Sequence, residues 1–251
     1  MIKLFRNIRQ KLLSENKTTS YLKYALGEIV LVVIGILIAL QINNWNEAQK
    51  HAKSRVNYTK SLISDLEKDS IQLIVENQNL TGRLNALAKV KKRLSSPLAT
   101  LDTLNHIIRY EHDPSFVTNE PINKNTFASL TSTGNIEFFD QSLAEAIQNY
   151  YQNASFVEGF HESQLTFYKN MFTQYLATVP LAGTARGRAS KIIVQDKLED
   201  ALWQEADLPK IHSIYRGQCS MQLNLFAAFK RLNNNLIKVN HELSQQLKNS
   251  L

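Results

Sequence analysis

The hydrophobic pattern of the chain changes abruptly near its N-terminus. Residues 29–40 carry no polar side chain, whereas later apolar positions recur at helical spacing among polar ones. If the apolar block is extended to residues 24–45, it forms a helix of about 33 Å, which matches a hydrocarbon core of about 30 Å. The pattern therefore predicts one transmembrane helix, and no second stretch of the sequence approaches that length.

Aromatic residues flank the predicted span. Tyr21 and Tyr24 stand at its start and Trp45 at its end, and such amphipathic rings favour the membrane–water interface. These three residues are therefore the predicted interface anchors.

Three residues of the span form a candidate contact surface. Gly35 and Ala39 lie four residues apart, and Glu28 precedes Gly35 by seven, so all three lie near one face of a helix. Small residues let two backbones approach closely in lipid. The face is a candidate interface with a second copy or a partner span, although Glu28 is also close enough to the headgroups to be solvated there.

The net charge of +7 is concentrated before the span. Residues 1–28 hold six basic and two acidic side chains, whereas the other 223 residues hold 23 and 20. A basic, amphipathic arm (residues 1–23) predicts contact with anionic lipid headgroups on the cytoplasmic side. Nucleic-acid binding is not predicted, since it requires a basic stripe on the folded domain, and the densest cluster, residues 89–93, is interpreted as a solvated helix end.

The apolar block is interpreted as an uncleaved signal-anchor. No Ala-x-Ala cleavage motif follows it. We therefore expect a protein of the bacterial inner membrane with its N-terminus inside and residues 46–251 in the periplasm.

A leucine stripe dominates the first extramembrane segment. Leu66, Leu73, Leu80, Leu87 and Leu94 recur every seven residues, while the positions three before them are half polar. This spacing predicts a long helix packed along one face, as in a coiled coil. The stripe alone does not decide whether it packs within the chain or between chains.

The remaining segments predict further helices. Short helices are expected near residues 101–108 and before Gly134, and long helices after Asp140 and over residues 210–248, with loops at 111–125 and 180–190 and a helix near 192–204. The predicted fold is all-α: one N-terminal transmembrane helix followed by an elongated antiparallel helical bundle.

Two segments carry a resemblance to a known family. Residues 5–47, with Gly-Glu-Ile at the start of the span and Asn-Asn-Trp-Asn at its exit, resemble the N-terminus of a family of bacterial single-pass membrane proteins of unknown function. Residues 125–151, with Ser-Thr-Gly and paired tyrosines, resemble a second segment of that family. The resemblance implies an anchored, mostly helical protein and brings no catalytic residues.

Catalytic and metal-binding motifs are missing from the sequence. Glu158 and His161 have the Glu-x-x-His spacing of di-iron bundles, but the second such pair that this chemistry needs is absent. There is no Cys-x-x-Cys, P-loop or Gly-x-Ser-x-Gly, and the single cysteine, Cys219, is interpreted as a buried hydrophobe. No cofactor or metal is predicted.

The leading hypothesis is a membrane-anchored interaction or scaffolding protein that contacts a second copy or another membrane protein. The alternative is a ligand-binding or sensory module of the cell envelope that works through a partner. A cavity with converging polar groups favours the alternative, whereas a flat apolar patch favours the first. An enzyme is the interpretation that the sequence supports least.

Overall fold

The computed structural model describes residues 18–180 and 196–251. Within them the chain forms six α-helices and a 3₁₀ turn, and no β-strand. The helices are α1 (Thr18–Leu94), α2 (Leu101–Tyr110), α3 (Asn125–Ser132), α4 (Gln141–Thr178), α5 (Asp196–Gln204) and α6 (Leu208–Asn249). The all-α prediction is confirmed, while most of the predicted arm and of the loop at 180–190 lie outside the described residues.

Local sequence signals set the helix ends. The side chains of Thr100 and Thr103 form a capping box at the start of α2, and Asp140 accepts a hydrogen bond from the Leu143 amide at the start of α4. After α3, Gly134 has a φ of 73°, a left-handed conformation that glycine adopts without a Cβ penalty. The predicted boundaries near these residues are confirmed.

The chain divides into two compact units, Met1–Asn57 and Tyr58–Leu251. In the first unit, the apolar side chains of α1 are exposed; Leu31, for example, is 61% exposed and Ile36 55%. Of the described helices, α1 alone is long and apolar enough to cross a membrane, and none of its most apolar window is buried. Exposed apolar surface on this scale is what a transmembrane segment requires.

The second unit is built on three long helical segments. Contacts of α6 with α1 join Lys248 to Glu67 and Asn233 to Glu76, so the two helices run in opposite directions. Helix α6 also runs antiparallel to α4, because Gln218 contacts Tyr168 and Asn240 contacts Tyr150. Helices α1 and α4 run in the same direction, since Asp69 contacts Tyr150 and Leu80 packs with Tyr168. Helices α2 and α3 and the segment between them carry the chain back along the bundle.

The leucine stripe lies in the core of this unit. Leu66, Leu73 and Leu80 are at most 3% exposed and pack within the chain, whereas Leu87 and Leu94 are only partly buried. The first two contact a cluster from α4 and α6 that includes Ile147 and Leu236. The question that the sequence left open is thus answered for the buried part of the stripe, which packs within one chain.

Candidate functional site

Residues 111–124, here called the strap, form an extended segment inside the second unit. The strap runs antiparallel to α1: Arg93 pairs with Glu111 near one end, and Asp69 contacts Asn123 near the other. The sequence correctly predicts a loop in this region. The structure adds that the loop is packed against three helices, so its backbone polar groups need partners from their side chains.

Two buried carboxylates of α1 hold one half of the strap. Asp69 accepts hydrogen bonds from the Asn123 amide at 3.0 Å and from the Tyr150 hydroxyl at 3.0 Å. About two turns further along α1, Glu76 accepts a hydrogen bond from the Glu120 amide at 3.2 Å. Burial raises the pKa of both carboxyl groups, and the hydrogen bonds oppose that rise.

Two glutamines of α6 hold the other half. Gln218 donates to the Pro114 carbonyl at 3.1 Å, and Gln222 donates to the Asp113 carbonyl at 2.8 Å. The Tyr168 hydroxyl of α4 donates to the same Pro114 carbonyl at 2.8 Å. The strap is therefore fixed from all three long helices.

The Glu-x-x-His pair belongs to this strap packing. Glu158 accepts from the Ile122 amide at 2.9 Å and pairs with Lys124, while the His161 ring contacts Asn119 and lies over Phe229. Burial lowers the pKa of His161 to about 4. No group of three potential ligands for a metal ion occurs in the described residues.

An apolar cavity of about 680 Å³ lies near the end of the bundle where α1 stops. Three elements line it: the last turns of α1, helix α2 and the first turns of α6. Its apolar lining consists of Leu87, Val90, Leu94, Leu104, Pro209, Tyr215, Cys219 and Leu223. Volume and lining match a small-molecule site, which typically measures about 300–1,000 Å³.

Two cations stand at the rim of this apolar cavity. Lys91 of α1 and Arg216 of α6 both line it and are exposed. The side chain of neither residue forms an ion pair or a hydrogen bond with another residue in the ranges that the structure describes. The third basic group of the lining, His212, contacts the Asn105 side chain at 2.7 Å. The cavity thus combines an apolar wall with two cations that lack a described partner.

A second, more polar cavity of about 1100 Å³ lies between α1, the strap and α6. Its carboxylates already have partners, since Glu111 pairs with Arg93 and Asp113 lies 3.6 Å from Arg83. The two cavities share Leu87 and Val90 in their linings.

A buried histidine borders the polar cavity. His112 is 4% exposed, and its ring lies 4.8 Å from that of Tyr215, which lines the apolar cavity. Burial lowers the pKa of His112 to about 4, so the ring is neutral near pH 7. The contact of these two rings therefore forms part of the wall between the cavities.

The residues predicted for the membrane segment belong to the first unit and line neither cavity. Tyr24, Trp45, Gly35 and Ala39 are exposed in α1, and a Cβ added at Gly35 would meet no atom within 4 Å. Glu28 is half-buried, and the side chain of Tyr21 lies outside the described residues. Their roles as anchors and as an interface stay predictions.

The rim cations were not predicted from the sequence. Lys91 belongs to the basic cluster at residues 89–93, which is indeed exposed at Lys89, Lys91 and Lys92. Arg216 lies 125 positions further along the chain, and nothing in the spacing connects the two. The available signal was Lys91 itself, which occupies the position three residues before Leu94 where an apolar residue would continue the packed face.

Comparison with known proteins assigns the chain to a family. The model of a family described as a "family of unknown function (DUF6090)" matches residues 28–172, more than half of the 251 residues. The chain belongs to this family. The match begins at Glu28 and ends within α4, so it contains the strap and the α1 and α2 walls of the apolar cavity, and not the α6 wall.

No curated protein and no solved structure matches the chain.

Proposed function

We propose that this protein is a membrane-anchored ligand-binding module of the bacterial cell envelope. The apolar segment of α1 anchors it in the inner membrane, the N-terminal arm faces the cytoplasm and anionic lipids, and the bundle lies in the periplasm. Ligand occupancy acts through a partner protein. The observation that carries the proposal is the apolar cavity with Lys91 and Arg216 at its rim.

The cavity supports binding better than a purely structural role does. Leu87, Val90 and Leu94 lie on the core-facing side of α1, yet they are only partly buried because the neighbouring elements leave space there. Covering such apolar surface is favourable by about 25 cal/mol for each Å² removed from water. A small molecule in the cavity would remove this apolar surface from water without a change in the fold.

Filling the cavity tests the proposal. Val90→Trp places an indole in the apolar lining and is expected to abolish retention of small molecules. Native mass spectrometry of the full chain released from lipid nanodiscs should show a bound molecule of defined mass for the parent and none for Val90→Trp. Ala88→Trp, which introduces the same side chain at an exposed position two residues away, is the matched control and should retain it.

Equal adducts on the parent protein and on Val90→Trp would show that the bound mass lies elsewhere. A parent chain that carries no adduct would also count against the proposal.

A scaffolding role through self-association is the second candidate, and an exposed apolar patch favours it. Ile71, Ile74 and Val75 of α1 are 65%, 44% and 50% exposed. Their spacing places them on neighbouring turns of one helix face, as at helix–helix seams. The occupant we propose is a second copy of the chain, because membrane anchoring concentrates copies of this protein in one plane.

The predicted interface in the span gives this candidate its sharpest test. Gly35→Ile is expected to weaken association in a membrane two-hybrid assay, because the larger side chain keeps two backbones apart. Val33→Ile, an apolar substitution off that face, should leave the signal unchanged. An undiminished signal from Gly35→Ile, or no signal from the parent span, would dismiss the interface.

A further inference from the structure

We infer that the ligand of the apolar cavity is a single-chain anionic amphiphile, an alkyl chain with a carboxylate or similar anionic head, held by Lys91 and Arg216. This assignment rests on the proposed ligand-binding function and specifies its chemistry. The alkyl chain covers the apolar lining, and the head lies between the two cations at the rim.

The charges of the lining residues indicate the sign of the ligand's charge. The charged side chains that line the apolar cavity are Lys91 and Arg216, and no aspartate or glutamate of the described residues joins them. The polar cavity differs, because each of its carboxylates is paired with an arginine. A cationic ligand would be repelled at the rim of the apolar cavity, and a neutral one would leave both cations without a counter-charge.

Each of the two cations lies beside other lining residues of the apolar cavity on its own helix. On α1, Leu87 and Leu94 lie one turn before and one turn after Lys91, so the cation is flanked by apolar lining on both sides. On α6, Arg216 lies one turn before Cys219 and Ser220, which also line the cavity.

The types of the rim side chains also fit an anionic head. A guanidinium presents two parallel N–H donors to a carboxylate, and an ammonium adds a compact point charge. Ser95, Ser213 and Ser220 add hydroxyl donors in the same lining.

Cys219 provides a reporter inside the site. It is the single cysteine of the chain, it is half-buried, and it lines the apolar cavity. A ligand that fills the cavity should therefore slow the reaction of its thiol with a small neutral disulfide such as 4,4′-dithiodipyridine. Burial raises the pKa of this thiol, so the reaction is followed at mildly alkaline pH, where more thiolate is present.

The experiment uses the full chain in phosphatidylcholine nanodiscs and three probes with an unbranched ten-carbon chain at matched free concentrations. Decanoate is expected to protect Cys219 with an apparent affinity about tenfold higher than that of decanol, because two exposed ion pairs form at the rim. Decyltrimethylammonium should protect least. The double variant Lys91→Glu with Arg216→Glu should reverse the order of decanoate and decyltrimethylammonium.

Lys68→Glu, at an exposed position of α1 outside the linings of both cavities, is the control and should keep the parent order. The thermal midpoints of all variants are compared, so that a loss of fold is recognised separately. Equal protection by the three probes would overturn the anionic assignment and leave the ligand-binding proposal standing. Protection by none of them would overturn both, and a decanoate preference that survives the double variant would remove Lys91 and Arg216 from the site.

Discussion

Leu80→Asp is expected to lower the free energy of unfolding by about 3 kcal/mol or more. Leu80 is fully buried and packs in a cluster with Tyr168, Phe226 and Phe229. The substitution removes the apolar contacts of the leucine and places a carboxylate among aromatic rings. The carboxylate is either buried at a large desolvation cost or forces the segment open.

Lys68→Asp on the same helix is the matched control. Lys68 is exposed, so its replacement should change the free energy of unfolding by less than about 0.5 kcal/mol. Chemical unfolding of the full chain in detergent, followed by circular dichroism, measures both variants. Equal unfolding midpoints would mean that the stripe is not part of the core.

The stripe also shows what the spacing of apolar residues can and cannot predict. The seven-residue period predicted the buried face of α1 correctly at Leu66, Leu73 and Leu80. The same period continues to Leu87 and Leu94, which line a cavity instead. Periodicity indicates which face of a helix points inward. How completely that face is buried depends on how α2 and α6 pack around the end of α1.

The strap was predictable as a loop but not as a packed element. Two prolines and the lack of helical period indicated a loop. Its partners include Asp69, Glu76, Gln218 and Gln222, all of which are buried. Polar residues of this kind are mostly exposed, so the sequence alone places them on the surface. They can be buried here because each carboxylate accepts a hydrogen bond from the strap and each glutamine donates one to it.

The apolar cavity could not be predicted from the sequence for a related reason. Lys91 and Arg216 are ordinary exposed basic residues when each helix is considered alone. They become a pair only because the end of α1 and the start of α6 line one cavity. The predicted site residues Glu28, Gly35 and Ala39 came instead from a local pattern in the span, which a single helix is enough to display.

The proposed membrane anchoring would determine on which side of the membrane the cavity operates. The apolar segment of α1 is exposed along its length, so in water it would carry a large hydration cost that a bilayer removes. The excess of basic residues before this segment favours a cytoplasmic N-terminus. If the chain crosses once, as we propose, the bundle with both cavities is expected in the periplasm.

A pair of reporters fused after Leu251 tests this placement most directly. Alkaline phosphatase is active only when exported, and green fluorescent protein is fluorescent only when it remains in the cytoplasm. We expect the phosphatase fusion to be active and membrane-bound and the fluorescent fusion to be dark. A fluorescent C-terminal fusion, or a mature protein that begins near Asn43 and is released from the membrane, would contradict the anchored, periplasmic module.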